Sequence, residues 1–154
     1  MKKILVIALS VLAFAAVASA QPRALGVRFG GAGVHGFGYG AELSYQQGLG
    51  NNFAEVDLGW SSAGINGSVL FDMIFASFDN VNCYIGPGVN LGMYAGADDT
   101  VAAFNLGVLG QLGAEYQFGT IPFNISLDWR PAFYVVPATH FAPYGVALSF
   151  RYRF

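Results

Sequence analysis

Cysteine is nearly absent from this chain of 154 residues; Cys83 is the single one. An internal disulfide framework is therefore excluded, and a lone cysteine among apolar neighbours reads as a small apolar side chain rather than a reactive thiol. Charge is scarce as well. Only 10% of the residues are charged, against about 25% in an average soluble domain. The two lysines, Lys2 and Lys3, stand at the N-terminus, so the rest of the chain sets five arginines against nine acids. A balance of five minus nine, net −4, argues against nucleic acid as a partner. Long apolar runs are missing too. After Ala20 no stretch reaches the roughly 18 residues of a membrane-spanning helix, which excludes helical spans there.

What the chain does have is apolar and aromatic character: 55% hydrophobic residues, 16% aromatic, and 21 glycines. Its first 20 residues have the form of an export signal. Lys2 and Lys3 make a basic start, Ile4 to Ala18 an apolar stretch, and Ala18-Ser19-Ala20 a small-residue cleavage site. Residues 1–20 are thus expected to be a cleaved secretory signal peptide, and residues 21–154 one domain. An N-terminal membrane anchor is the alternative, but the apolar stretch is shorter than the roughly 20 residues that span a bilayer. For an exported, apolar chain without spanning helices, a closed β-barrel is the way to satisfy the backbone in lipid.

The C-terminal segment Tyr144 to Phe154 alternates without exception. Tyr144, Val146, Leu148, Phe150, Tyr152 and Phe154 are large and apolar; Gly145, Ala147, Ser149, Arg151 and Arg153 are small or polar. Period two means a β-strand with opposite faces. Seven further segments, at about 24–31, 39–47, 53–61, 66–75, 82–94, 102–117 and 123–133, alternate in the same way between turn signals. The expected fold is all-β: an eight-stranded antiparallel up-and-down transmembrane β-barrel. Pro87 cannot donate to a ladder, so a bulge or bend is expected there.

Arg28, Glu42, Glu55, Asp57, Asp72, Glu115, Asp128, Arg130, Arg151 and Arg153 all fall on the polar phase of their segments. A basic side chain on the lipid face at the midplane costs about 2–4 kcal/mol, so the charges belong in the lumen. A soluble sandwich or lipocalin-like barrel explains the alternation with the opposite orientation, apolar face inward. The missing lysines and the low charge speak against it. So do aromatic residues gathered near both strand ends: Tyr45, Phe53, Phe75, Tyr84, Tyr116, Phe123 and Phe154 at one, and Tyr39, Trp60, Tyr94, Phe104, Trp129 and Tyr144 at the other.

Arg28, Arg130, Arg151 and Arg153 occupy segments that become neighbours on closure, opposite Glu42, Glu55, Asp57, Asp72 and Glu115; Asp128 sits among the arginines. An eight-stranded interior is just wide enough for side chains to fill it. The lumen is expected to close through an Arg/Asp/Glu network. The alternative is a narrow porin-like channel for small solutes, with inward glycines leaving room for water. A third reading, a lipid-modifying enzyme, would draw on His35, His140, Ser61 and Ser62 near the outer rim. No compact motif joins them, and the chain is read as a non-enzyme without metal or cofactor. A surface-binding role would fall to outer loops at about 32–38, 62–65, 95–101 and 134–143, which are short and carry little charge beyond Asp98-Asp99.

The signal peptide, the eight alternating segments, the short turns and the aromatic last strand resemble the small bacterial outer-membrane β-barrel family that includes OmpX and the transmembrane part of OmpA. The segments Tyr84-Ile85-Gly86-Pro87-Gly88 and Leu127-Asp128-Trp129-Arg130-Pro131 look like those of porin-like outer-membrane barrel proteins. The resemblance implies a Gram-negative outer-membrane location, lipid as surroundings, a monomer, and Tyr152 and Phe154 as the signal read by the barrel-assembly machinery. Relatives of this kind have structural, binding or narrow-channel roles. The shorter outer loops here depart from OmpX and disfavour a protruding adhesive edge. The lack of a peptidoglycan-binding domain departs from OmpA and disfavours cell-wall tethering.

Overall fold

The structure, a computed structural model, describes residues 22–30, 32–33, 36–37, 40–61, 64–95 and 102–154. The expected signal peptide, Tyr39, His35, Ser62 and the Asp98-Asp99 pair lie outside these residues. The strands are β1 (Arg23–Gly30), β2 (Ala32–Gly33), β3 (Gly36–Phe37), β4 (Ala41–Leu49), β5 (Asn52–Ser61), β6 (Gly64–Phe78), β7 (Val81–Ala95), β8 (Ala102–Gln117), β9 (Phe123–Trp129), β10 (Ala132–Val136), β11 (His140–Ala142) and β12 (Val146–Arg153). β2 and β3 form a small hairpin within the stretch expected to be an outer loop.

The described residues form a closed antiparallel barrel of eight strands. Each neighbour in the order β1, β4, β5, β6, β7, β8 pairs antiparallel with the next. β8 pairs β9, β9 pairs β12, and β12 returns to β1. The seventh and eighth barrel strands are each made of two pieces, β9 with β10 and β11 with β12. One end has tight connections at Gly50-Asn51, Asp79-Asn80 and 118–122, together with Pro22, the first described residue, and Phe154. Gly50 and Asp79 take positive φ (67° and 50°) there, the left-handed geometry a two-residue hairpin demands and that Gly, Asn and Asp tolerate best. Arg23 and Phe154 exchange backbone hydrogen bonds of 3.2 and 2.9 Å, which tie the first strand to the last.

Burial is inside out relative to a soluble protein. Leu25, Val27 and Phe29 of β1 are exposed while Arg28 is fully buried, and Val56 and Leu58 of β5 are exposed while Glu55 and Asp57 are buried. The pattern recurs on every barrel strand because side chains alternate across a strand.

Four expectations need correction. The seventh strand is not continuous: Arg130-Pro131 interrupts it, and its second half runs to Val136. Proline has no N–H for the ladder. From Trp129 to Ala132 is three steps, while their partners Val146 and Ala142 are four apart, so the seam takes up one extra residue. Much of the expected loop at 134–143 is therefore strand. Second, Pro87 brings no register shift: the β7–β8 register runs unbroken through it, and the β6–β7 ladder only skips the pairs of Phe71 and Asp72 there; the shifts lie between Ile74 and Ala76 of β6 and between Tyr134 and Val136 of β10. Third, the last barrel strand is regular only from Val146, because Tyr144 lies in the irregular link after β11. Fourth, Phe53 and Tyr84 are not part of an outer aromatic girdle. They are buried inside, 5.1 Å apart edge to face, on the same phase as the charges.

Candidate functional site

The lumen gathers the charged residues. Arg28 on β1 reaches Glu42 on β4 at 2.6 Å and Asp128 on β9 at 2.5 Å. Arg130 follows β9 and extends across the interior to Glu55 and Asp57 on β5, both at 2.7 Å, and donates to Ser68 at 3.3 Å. Arg151 on β12 lies 3.0 Å from Glu55 and donates to Ser44 at 2.9 Å and Ser126 at 2.8 Å. Glu55 is the hub: Arg130 meets one of its oxygens, Arg151 and the Gln46 amide the other. All these groups are buried, so each guanidinium–carboxylate contact works at low dielectric and depends on its partners being in place.

Three of the ten charged residues stand apart. Glu115 accepts from Gln117 at 2.6 Å and from Asn124 at 2.7 Å. Arg153, half-buried at the turn end, donates to Gln117 at 2.5 Å and to the Phe118 carbonyl at 3.3 Å. Among the described residues neither forms an ion pair, nor does Asp72, which is fully buried. The neutral members of the network, Ser44, Gln46, Ser68, Asn124 and Ser126, were legible only as polar-phase residues; their phase is the signal that places them.

Apolar groups fill the rest of the interior. Leu70, Leu109, Ala132 and Tyr134 form a buried cluster toward the outer-loop end. Four of the inward glycines are overlaid by neighbouring side chains, while nothing lies within 4 Å of a Cβ on Gly40. A Cβ on Gly113 would lie 2.5 Å from the Tyr84 ring, one on Gly88 2.6 Å from Leu70, one on Gly107 2.9 Å from Tyr134, and one on Gly59 2.1 Å from Asn66. Each of these glycines stands directly across the ladder from the residue that leans over it or, for Gly107, is opposed by Tyr134. A cavity of about 110 Å³ remains at the turn end, lined in part by Gln46, Glu115, Asn124 and Arg153.

Of the residues considered for catalysis, His35 and Ser62 lie outside the described residues. His140 is exposed; its ring stacks on Tyr134 at 4.8 Å and its Nδ1 lies 3.2 Å from the Ala138 carbonyl. Among the described residues no group of three or more His, Cys, Asp or Glu is placed to hold a metal. Tyr152 and Phe154 lie on the outer face, exposed. Tyr152 packs edge to face on Phe123 at 5.4 Å and stacks with Phe154 at 6.3 Å.

No protein-family profile matches the chain, and no curated protein matches it. Among solved structures, the crystal structure of Neisserial surface protein A is similar over 86% of this chain and 93% of that one, with 12% identity and a TM-score of 0.47. Nothing about function follows from a likeness at that identity.

Proposed function

We propose that this chain is an integral protein of a bacterial outer membrane, a barrel with a structural or surface-interaction role whose lumen is closed by its Arg/Asp/Glu network. The observation that carries this reading is the inverted burial. Val69, Val89 and Val108 stand side by side on β6, β7 and β8, each about half exposed (51%, 53% and 54%), while Arg28, Arg151, Glu55 and Asp72 are sealed at 0%. Soluble monomers rarely expose apolar patches beyond about 300–600 Å². An apolar surface on all sides of a closed barrel suits lipid, where the backbone must satisfy itself.

In this reading the surroundings are outer-membrane lipids, the barrel works as a monomer, and Tyr152 and Phe154 present the assembly signal. The packing of the interior supports closure. Arg130 and Arg151 both reach Glu55, and Tyr84, Leu70 and Tyr134 occupy the space above three of the inward glycines. Planar-bilayer recording of the refolded barrel tests closure, and the expected trace has no resolvable single-channel events. Steady openings would replace closure with the narrow-channel reading. Recovery of the expressed protein outside the outer-membrane fraction would remove the location.

A further inference from the structure

Arg23 is the arginine that the lumen does not take in. Arg28, Arg130 and Arg151 are buried inside, and Arg153 shares their phase, across the ladder from the buried Ala24. Arg23 stands two residues before the exposed Leu25, so by alternation it falls on the outer phase of β1. Among the described residues it is the single charged side chain on the outer phase of a barrel strand. It also borders the turn-end cavity, which places it at the rim where the lumen mouth meets the outer face. Among the described residues its guanidinium enters no ion pair, and its Nε is sealed without a hydrogen-bond partner. An unpaired guanidinium at the edge of an apolar face calls for an anion.

The neighbours of Arg23 are those of a membrane interface. It pairs with Gln47 on β4 and, through mutual backbone hydrogen bonds of 3.2 and 2.9 Å, with Phe154 after β12. Next along the strand, Leu25 stands between Tyr45 and Tyr152. Polar groups gather at the rim. Tyr45 donates to Gln47 Oε1 at 2.7 Å, and Gln47 gives one amide N–H to the Gly48 carbonyl at 3.2 Å, which leaves it a second to offer. Apolar groups follow toward mid-barrel, where Leu25, Val27, Phe150 and Tyr152 are all exposed. A cation, then aromatic rings, then an aliphatic strip is the order in which a phospholipid presents phosphate, interface and chain. The strand runs about 13 Å from Arg23 to Val27 at about 3.3 Å per residue, room for a stretch of acyl chain. A guanidinium fork matches phosphate oxygens in pairs. An acidic protein segment would satisfy the arginine but not the apolar strip beside it.

We propose that the turn-end rim of β1 docks a membrane phospholipid, its phosphate on Arg23 and an acyl chain laid over Leu25, Val27 and Tyr152. The proposal rests on the outer-membrane reading and deepens it by naming the lipid group the barrel holds. The barrel is refolded into vesicles of phosphatidylcholine and into vesicles of a digalactosyl lipid with the same acyl chains and no phosphate, and unfolded with urea in each. Arg23→Gln is expected to lower the midpoint in phosphatidylcholine and to leave it unchanged in the galactolipid. Arg153→Gln, at the same end but on the inner phase, should lower it equally in both. The direct signature needs no variant. In dodecyl maltoside micelles the Arg23 Nε–Hε resonance should shift on addition of dodecylphosphocholine and stay in place with inorganic phosphate at the same concentration. An unmoved resonance in dodecylphosphocholine would overturn the site, and an equal shift with inorganic phosphate would mark a free-anion site and overturn the docked lipid. Equal Arg23→Gln losses in the two vesicles would also overturn it while leaving the membrane reading in place, since the barrel has then inserted into both. A barrel that inserts into neither would remove both readings.

Discussion

Arg130 and Arg153 are both lumenal arginines, yet the structure gives them different weights. Arg130 binds Glu55 and Asp57 in a buried setting; Arg153 meets only an amide oxygen and a carbonyl at the half-open turn end. Removing one partner of a buried pair strands the other charge, at about 3–5 kcal/mol. Arg130→Ala is therefore expected to lower the urea-unfolding stability of the refolded barrel by about that amount, while Arg153→Ala costs about 1 kcal/mol, the scale of an ordinary hydrogen bond. Arg151→Ala should insert but lose stability, and an unchanged unfolding curve would contradict the role given to Glu55 as hub. Glycine supplies a second residue-scale test. Gly113→Ala would drive a Cβ into the buried Tyr84 ring and should cost about 1–3 kcal/mol, the range for overpacking; adding Tyr84→Leu should recover much of the loss. The phase that Arg28, Glu42, Glu55, Asp57, Asp72, Asp128, Arg130 and Arg151 share, on which all are buried, was legible in the sequence from the period-two pattern alone. The inward turn of Tyr84 and Phe53 was equally available, because they share a phase with Gly86 and Glu55, but residue type drew them toward the lipid face. Which acid each arginine reaches was not legible. That depends on the stagger between strands far apart in sequence, such as Arg130 and Glu55.

Among the elements, the seam between the seventh and eighth barrel strands is the irregular one. Arg130-Pro131 divides one strand and 143–145 the other, with a one-residue mismatch between the halves. In an antiparallel pair a residue's N–H and C=O point the same way. The Gly110 amide donates to the Pro131 carbonyl at 3.0 Å, but Pro131 has no N–H to return to the Gly110 carbonyl. By contrast, β7 and β8 pair without a register shift from Val81-Tyr116 to Ala95-Ala102. Local opening draws on the least-paired segments first. In hydrogen–deuterium exchange the amides of β10 and β11 are expected to exchange well before those in the middle of β7 and β8; equal protection would show that the seam is not weak. The sequence made the eight segments plain, but a proline inside an alternating run does not say whether a strand bulges or breaks. Pro87 is carried without a register shift against β8; Pro131 stands at a break. At the other end of β12, the Phe154 N–H donates to the Arg23 carbonyl, so the last residue also ties the closing seam. Deleting Phe154 should reduce the heat-modifiable, folded form recovered from outer membranes more than it reduces refolding in detergent. An equal effect in both would make Phe154 a structural residue and not an assembly signal.

For the whole molecule, the decisive matter is what medium surrounds the barrel, and one position separates the answers. Val89 lies mid-strand on β7 with Val69 and Val108 beside it on β6 and β8, all about half exposed. If water bathes this face, Val89→Arg is an ordinary surface change and shifts stability by no more than about 0.5 kcal/mol. If lipid does, an arginine near the midplane costs about 2–4 kcal/mol, falling toward about 0–1 kcal/mol near the interfaces. The same substitution at Phe78, exposed beside the Asp79-Asn80 turn, provides the interfacial control. The expected result, read by urea unfolding in lipid vesicles, is a loss of about 2–4 kcal/mol for Val89→Arg and a markedly smaller one for Phe78→Arg. Equal, small losses at both positions would place the apolar face in water or against another protein, and the membrane reading would fall. Depth dependence is the signature because it is a property of the bilayer: burial against a protein partner would penalise both positions according to local packing, with no gradient along the strand.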